Sequence, residues 1–124
     1  MYAEHLETGK QAEQIATAYL RSLGMELLVS NYRCYHGEID LIMRDRDDIV
    51  FVEVRCRNRQ DYGTASESVN RAKQAKLIKA ATHFLQYKQW LYKVSSRFDV
   101  IAVHHTINEP NIEWFKNAFM VERR

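Results

Sequence analysis

The sequence predicts an α+β fold, a mixed sheet flanked by helices in the order αβββαβ(β), and three observations predict it. A helical stripe opens the chain, three strand-like runs follow one another directly, and a longer helical stripe separates them from a last alternating segment. Strands grouped together with helices at the flanks describe a sheet that uses helices as covering layers. Residues 1–124 are read as a single domain, because a chain of this length supplies one real core and a second would be too small. No internal repeat or low-complexity segment divides it, and Pro110 is its one proline, so no linker is expected.

The first helix is marked by Ala12, Ile15, Ala16, Tyr19, Leu20 and Leu23, which keep the three-and-four spacing of one apolar face. Thr8 followed by Gln11 has the form of a capping box, and Gly24 stands where a left-handed C-terminal cap belongs. Glu13 falls one position off the stripe, at the helix border, where it leans over whatever the helix packs on. The run "ELLVSNYR" predicts the first strand, and Glu38 to Arg44 and Ile49 to Arg57 the next two, joined by the polar turn "DRDD". After a loop containing Gly63, a long helix is expected from Ser66 or Ser68 to Trp90. Its buried side is Val69, Ala72, Leu77, Ala80, Ala81, Phe84 and Leu85. "RFDVIAVHH" alternates as a fourth strand, with Asp99 among core residues and pairing with a helix lysine or Arg97. "NIEWFKNAF" reads equally as a short strand or a helix start.

Composition excludes several classes. With 46% hydrophobic and 27% charged residues the chain is neither disordered nor a membrane span, and its apolar runs fall far short of the roughly 20 residues a spanning helix needs. The polar, acidic opening "MYAEHLETGKQAEQ" predicts no signal peptide, so a cytoplasmic protein with no membrane partner is expected. Cys34 and Cys56 are too few and too far apart for a zinc knuckle and read as reduced thiols. Net charge is only +2, but residues 1–50 carry nine acids against five bases, whereas Ser68 to Phe98 has seven bases and no acid. Such a run is either a face for a polyanion such as nucleic acid or an ordinary solvated helix face.

The hairpin carries the chemistry. If Asp45 to Asp48 turn the chain, Arg44 faces Ile49, Asp40 faces Glu53 and Glu38 faces Arg55. Facing residues of an antiparallel pair share a side of the sheet at about 5 Å. Two carboxylates so placed repel unless a cation, a proton or a base offsets them. A divalent ion held by both acids and by water is one solution, and Mg²⁺ or Mn²⁺ fits the oxygen ligands. The other reading is an exposed hairpin whose acids are solvated and whose Arg55 pairs with Glu38. A bulge in either strand would move the two acids to opposite faces.

Asp40, then Glu53 followed by Val54 and Arg55, resembles the acid-spacer-(Asp/Glu)-x-Lys signature of the restriction-endonuclease-like nucleases, with Arg55 at the lysine position. The runs "NYRC", "GEIDLIMRD" and "IVFVEVRCR", with "AEQIATAYL" upstream and "KQAKLIKAATHFL", "RFDVIAV" and "NAF" downstream, are similar to the YraN family of small bacterial proteins, from Gly9 to Phe119. The resemblance implies the fold of Holliday-junction resolvases and a metal-dependent nuclease acting on DNA, although the family name supplies no substrate. It implies Asp40 and Glu53 as metal ligands, the Val54 carbonyl as a further ligand, and Glu13 completing the shell through water. Resolvase-like enzymes often act as dimers on junctions with two symmetric strands, so a homodimer is the implied assembly.

Arginine stays charged at any accessible pH, so Arg55 is a phosphate clamp rather than a base. The proton acceptor then falls to Glu38 or to the substrate phosphate. The same departure allows a second function, a nucleic-acid-binding module of this fold with weak or no catalysis. Lys73, Gln74 and Lys76, early in the long helix, resemble a "K-Q-x-K/R" segment of the family and are candidate phosphate contacts. Tyr32, Tyr35 and Tyr62 lie near the hairpin, where they either stack on unpaired bases or cap a core edge. His104 and His105 are adjacent on a strand and point to opposite faces, which makes them poor joint ligands.

Overall fold

The computed structural model describes residues 2–57, 69–104 and 111–119, with side chains from residue 9 onward. The elements are α1 (Tyr2–Ser22), β1 (Glu26–Cys34), β2 (Gly37–Asp45), β3 (Asp48–Arg57), α2 (Arg71–Tyr87), β4 (Ser96–His104) and β5 (Asn111–Phe119). The strands form one sheet in sequence order, β1-β2-β3-β4-β5. Strands β1 to β3 are an antiparallel meander, β3 and β4 run parallel, and β5 returns antiparallel to β4. Only the parallel pair needs a crossover long enough to hold a helix, and α2 lies in that connection.

Each helix covers one face of the sheet. Ala12, Ala16 and Leu20 of α1 pack on Leu41, Met43, Val50, Val52, Ile101 and Val103. Leu77, Ala80, Ala81, Phe84 and Leu85 of α2 pack on Ile39, Ile42, Ile49, Phe51, Phe98 and Val100. Strands β3 and β4 are therefore buried on both sides, which is why "IVFV" and "VIAV" are apolar without alternation. Phe51, Phe98 and Phe119 stack in series across three strands, with ring centroids 5.3 and 4.7 Å apart, and Phe84 meets Phe51 edge-on at 6.2 Å.

Several element boundaries differ from the sequence reading. Helix α1 begins at Tyr2, so Thr8 lies within it rather than at its start. Leu23 lies past the helix end and is 51% exposed rather than part of the apolar face. Gly24 does adopt a left-handed φ of 94°, and its N–H and that of Met25 bond the Arg21 and Leu20 carbonyls at 2.9 and 3.1 Å.

Helix α2 is shorter than expected because Asn70 starts it: the Asn70 side chain accepts the Lys73 N–H at 2.9 Å. Ser66, Ser68 and Gly63 lie outside the described residues. Ala72 is exposed, one residue into the helix. The last segment, Asn111–Phe119, is a strand.

At the tip of the β2–β3 hairpin the two strands reach Asp45 and Asp48, which pair, so the turn is Arg46 and Asp47 alone, with Arg46 at a φ of 58°. Arg97 of β4 closes this end. Its guanidinium lies 2.9 Å from Asp45, 3.6 Å from Asp48 and 3.1 Å from Asp99. Asp99 is 1% exposed and also accepts from the Trp114 indole and the Asn117 N–H. Its charge is thus fully partnered by Arg97, Trp114 and Asn117, and it serves the sheet.

Candidate functional site

The hairpin register follows the facing rule from Asp45–Asp48 through Arg44–Ile49 to Leu41–Val52, and the ladder ends there. One residue further, the Asp40 carboxylate accepts the Val54 backbone N–H at 2.8 Å, so a side chain takes the place of a ladder bond. Ile39 packs on the α2 side while Leu41 and Met43 pack on the α1 side, which means the alternation of β2 slips by one residue at Asp40. In the neighbouring strand, Asn31 sits at a left-handed φ of 54°, a conformation asparagine tolerates better than most residues. The β2–β3 ladder ends beside these residues, and the candidate acids lie where it ends.

Glu53 is the most confined of these. It is 5% exposed, and its Oε1 lies 3.7 Å from Arg55 Nη2 and 3.6 Å from Lys73 Nζ. Its Oε2 is buried with no hydrogen-bond partner, and so is the Nε of Arg55. A buried carboxylate oxygen without a donor is costly, and such exceptions call for an explanation.

Burial, and then the charge of Asp40, push the Glu53 carboxyl up to about 7 against the pull of Lys73 and Arg55. Burial raises Asp40 as well, and the Val54 N–H and the Lys73 charge offset part of that. Glu13 on α1 is raised by burial and next by Asp40, while a hydrogen bond with the Asn31 side chain lowers it. Three acids from α1, β2 and β3 thus share one electrostatic environment. They do not close into a cage: among the described residues no three His, Cys, Asp or Glu side chains converge as ligands.

Of the remaining candidates, the fold brings Lys73 to Glu53 and lets the charge of Glu38 act on Asp40 and Glu13, and it leaves the others apart. Glu38 does not face Arg55, because the ladder has already ended. It is the cross-strand partner of Arg33, with 3.5 Å between Glu38 Oε1 and Arg33 Nε. Val54 turns its side chain into the core under α1. Of the three helix residues, Lys73 reaches Glu53, Gln74 donates its amide to the Val69 carbonyl at 2.9 Å, and Lys76 is exposed beside the β1–β2 turn.

The contact of Lys73 with Glu53 is the feature that residue patterns miss. Its signal was Asn70, whose cap places Lys73 in the first turn of α2. His104 pairs with Glu113 across β4 and β5, and His105 and Tyr62 lie outside the described residues.

A family profile described as "Uncharacterised protein family UPF0102" matches residues 12–103, a span that includes Glu13, Asp40, Glu53, Arg55 and Lys73. The chain is 46% identical over 120 residues to a UPF0102 protein of Nitrosococcus oceani, covering 97% of each. It is 48% identical over 117 residues to one of Saccharophagus degradans, covering 94% of this chain and 96% of that one. A relative from Legionella pneumophila is 44% identical over 113 residues, covering 91% and 94%. Among the described residues no helix is long and apolar enough to cross a membrane.

Proposed function

The chain belongs to the UPF0102 family, and from the chemistry of its hairpin we propose that it binds DNA and hydrolyses a phosphodiester bond with the help of a divalent ion. The observation that carries this reading is the buried Glu53, one oxygen of which lacks any donor, paired electrostatically with the half-buried Asp40. Such a pair fits a hard cation, because it offers carboxylate oxygens close together and one of them has no donor. Mg²⁺ or Mn²⁺ suits these donors, with Asp40 and Glu53 as direct ligands, the Val54 carbonyl as a further oxygen, and Glu13 reached through water.

Bound there, the ion would polarise the phosphoryl oxygen and lower the pKa of the attacking water. The chain's own residues have distinct tasks. Arg55 cannot take up a proton, and its fork of N–H donors suits a phosphate or the charge that grows in the transition state. Lys73 adds a second cation beside Glu53, and with Arg55 it neutralises the carboxylate before substrate arrives. Glu38, exposed at the rim, or the substrate phosphate accepts the proton of the attacking water.

The permanent charge of Arg55, at a position where lysine would offer a titratable amine, favours a second reading. On it, the same site binds phosphate in a nucleic-acid-binding module and turns over slowly or not at all. The two are separated by a panel of duplex, single-stranded, flapped and four-way-junction DNA with RNA alongside, incubated with Mg²⁺ or Mn²⁺, wild type beside Asp40→Ala. Cleavage by the wild type alone is the expected result. Salt-sensitive binding without cleavage by either protein selects the binding module. Absence of binding to every member of the panel overturns both.

A further inference from the structure

A second feature of the surface is continuous with this site. The β1–β2 turn consists of Tyr35 and His36, and Tyr35 is 97% exposed. Its ring meets that of His36 edge-on, with centroids 5.5 Å apart. His36 in turn lies 6.3 Å from His83 on α2. His83 is 6.0 Å from Tyr32, and its Nδ1 is hydrogen-bonded to the Tyr32 hydroxyl. Tyr32 finally meets the buried Phe84 at 5.3 Å. Five rings therefore run in series from the core to solvent, and the last presents both faces to water.

A ladder of this kind is rigid at its base and open at its tip. Burying Tyr35 is not its purpose, since almost none of that ring is covered. What surrounds it narrows the choice of ligand. Lys76 packs beside Gly37 at the end of the turn, and Lys79 is exposed one turn further along α2. Lys73, Lys76 and His83 follow three- and seven-residue spacing, which sets them along one edge of the helix. That edge leads from Glu53, which Lys73 contacts, to the ring ladder, over about 15 Å of helix rise. No acid occurs in the sequence between Ser68 and Phe98, so the α2 side of this path carries only positive charge. Cations beside an exposed ring at the end of such a path are the features with which proteins hold a single strand, phosphates on the cations and a base on the ring.

We infer that Tyr35, backed by His36 and His83, is a stacking platform for an unpaired nucleobase of a strand whose backbone follows Lys76 and Lys73 toward the carboxylate pair. This rests on the nucleic-acid reading above and adds to it that the preferred substrate has an unpaired segment beside the reacting phosphate. A base within a duplex is already stacked on its neighbours and cannot use the platform.

The test is binding to strands that carry the fluorescent base 2-aminopurine, with a chelator present so that nothing is cleaved. Single-stranded DNA, single-stranded RNA and duplex DNA of one length are compared for wild type, Tyr35→Ala, Tyr35→Trp and Tyr92→Ala. Tyr92 is 96% exposed but has no place in the ladder, and it reports what loss of any exposed tyrosine does. Wild type is expected to bind single strands with quenching of the 2-aminopurine. Tyr35→Ala should then lose roughly 5- to 150-fold in single-strand affinity, the range that stacking one base supplies. Its duplex affinity and melting temperature should stay unchanged, Tyr35→Trp should retain tight binding, and Tyr92→Ala should match wild type. The DNA and RNA arms show which backbone the path accepts.

Unchanged single-strand affinity of Tyr35→Ala, or equal loss on single strands and duplex, overturns the platform while leaving the nucleic-acid reading in place. Failure of wild type to bind any single strand at low salt overturns the platform, and the panel with Mg²⁺ or Mn²⁺ then decides the nucleic-acid reading on its own.

Discussion

Glu53 is a residue whose charge works against the fold. In the metal-free protein, burial and the neighbouring Asp40 raise its carboxyl to about 7 from an ordinary 4.5. Between those values the folded state keeps a proton that the unfolded chain has already released. This group therefore makes stability fall as pH rises through that window, and the whole cost is present above it. Glu53→Gln removes the charge at nearly constant shape. It is expected to stabilise the protein by about 2 kcal/mol near pH 8 and to change little near pH 4, read from urea melts at the two pH values. Equal stability of the two proteins near pH 8 would mean that Lys73 and Arg55 already compensate the carboxylate fully. Added Mn²⁺ should stabilise the wild type by mass action and leave Asp40→Ala unchanged, which calorimetry can follow directly. The facing rule brought Asp40 and Glu53 together on paper because the turn sets register. It could not show where the ladder stops, since that depends on one carboxylate preferring the Val54 N–H and on Asn31 accepting a left-handed backbone. Neither choice leaves a mark in hydrophobic periodicity.

Both helices end with the same pair of backbone bonds and different residues. Helix α1 uses Gly24, while α2 uses Gln89 at a φ of 61°, with the Gln89 N–H on the Gln86 carbonyl and the Trp90 N–H on Leu85. A side chain in that conformation costs roughly 1–2 kcal/mol, and glycine escapes most of it. Space is open around Gly24, so Gly24→Ala meets no neighbour and should destabilise through the backbone alone, by about 1 kcal/mol. Gln89→Gly should do the reverse and raise the melting temperature; a fall would show that the Gln89 side chain contributes more than its backbone costs. The glycine cap was legible and the glutamine one was not, because only glycine advertises a left-handed position. The start of α2 was misplaced for a related reason. Serines at 66 and 68 compete with Asn70 as caps in the sequence, and the hydrogen bond to Lys73 decides it. β5 was ambiguous because nine residues are too few to separate the two periods, and pairing with β4 settled it.

At the scale of the molecule, the order of elements and the two faces were legible almost throughout, since a sheet buried on both sides writes continuous apolar runs into its inner strands. The charge asymmetry has a measurable consequence if α2 meets phosphates. Affinity should fall steeply as salt rises, and Lys76→Ala should lower the slope of log affinity against log salt by about one. A slope unchanged by Lys76→Ala would remove that lysine from the interface. The hairpin between the helices is fastened unequally, by Arg97 bridging three carboxylates at its tip and by the Asp40 carboxylate on the Val54 N–H where the ladder ends. Local opening should therefore begin at the acids and travel toward the turn. In amide hydrogen exchange the protons of residues 38–40 would be lost first and those of 41–44 last, a gradient running against the usual expectation that turns fray before strands. Arg97→Met should flatten it. The protein would then spend more time with its carboxylates apart, although the substitution lies at the other end of the hairpin.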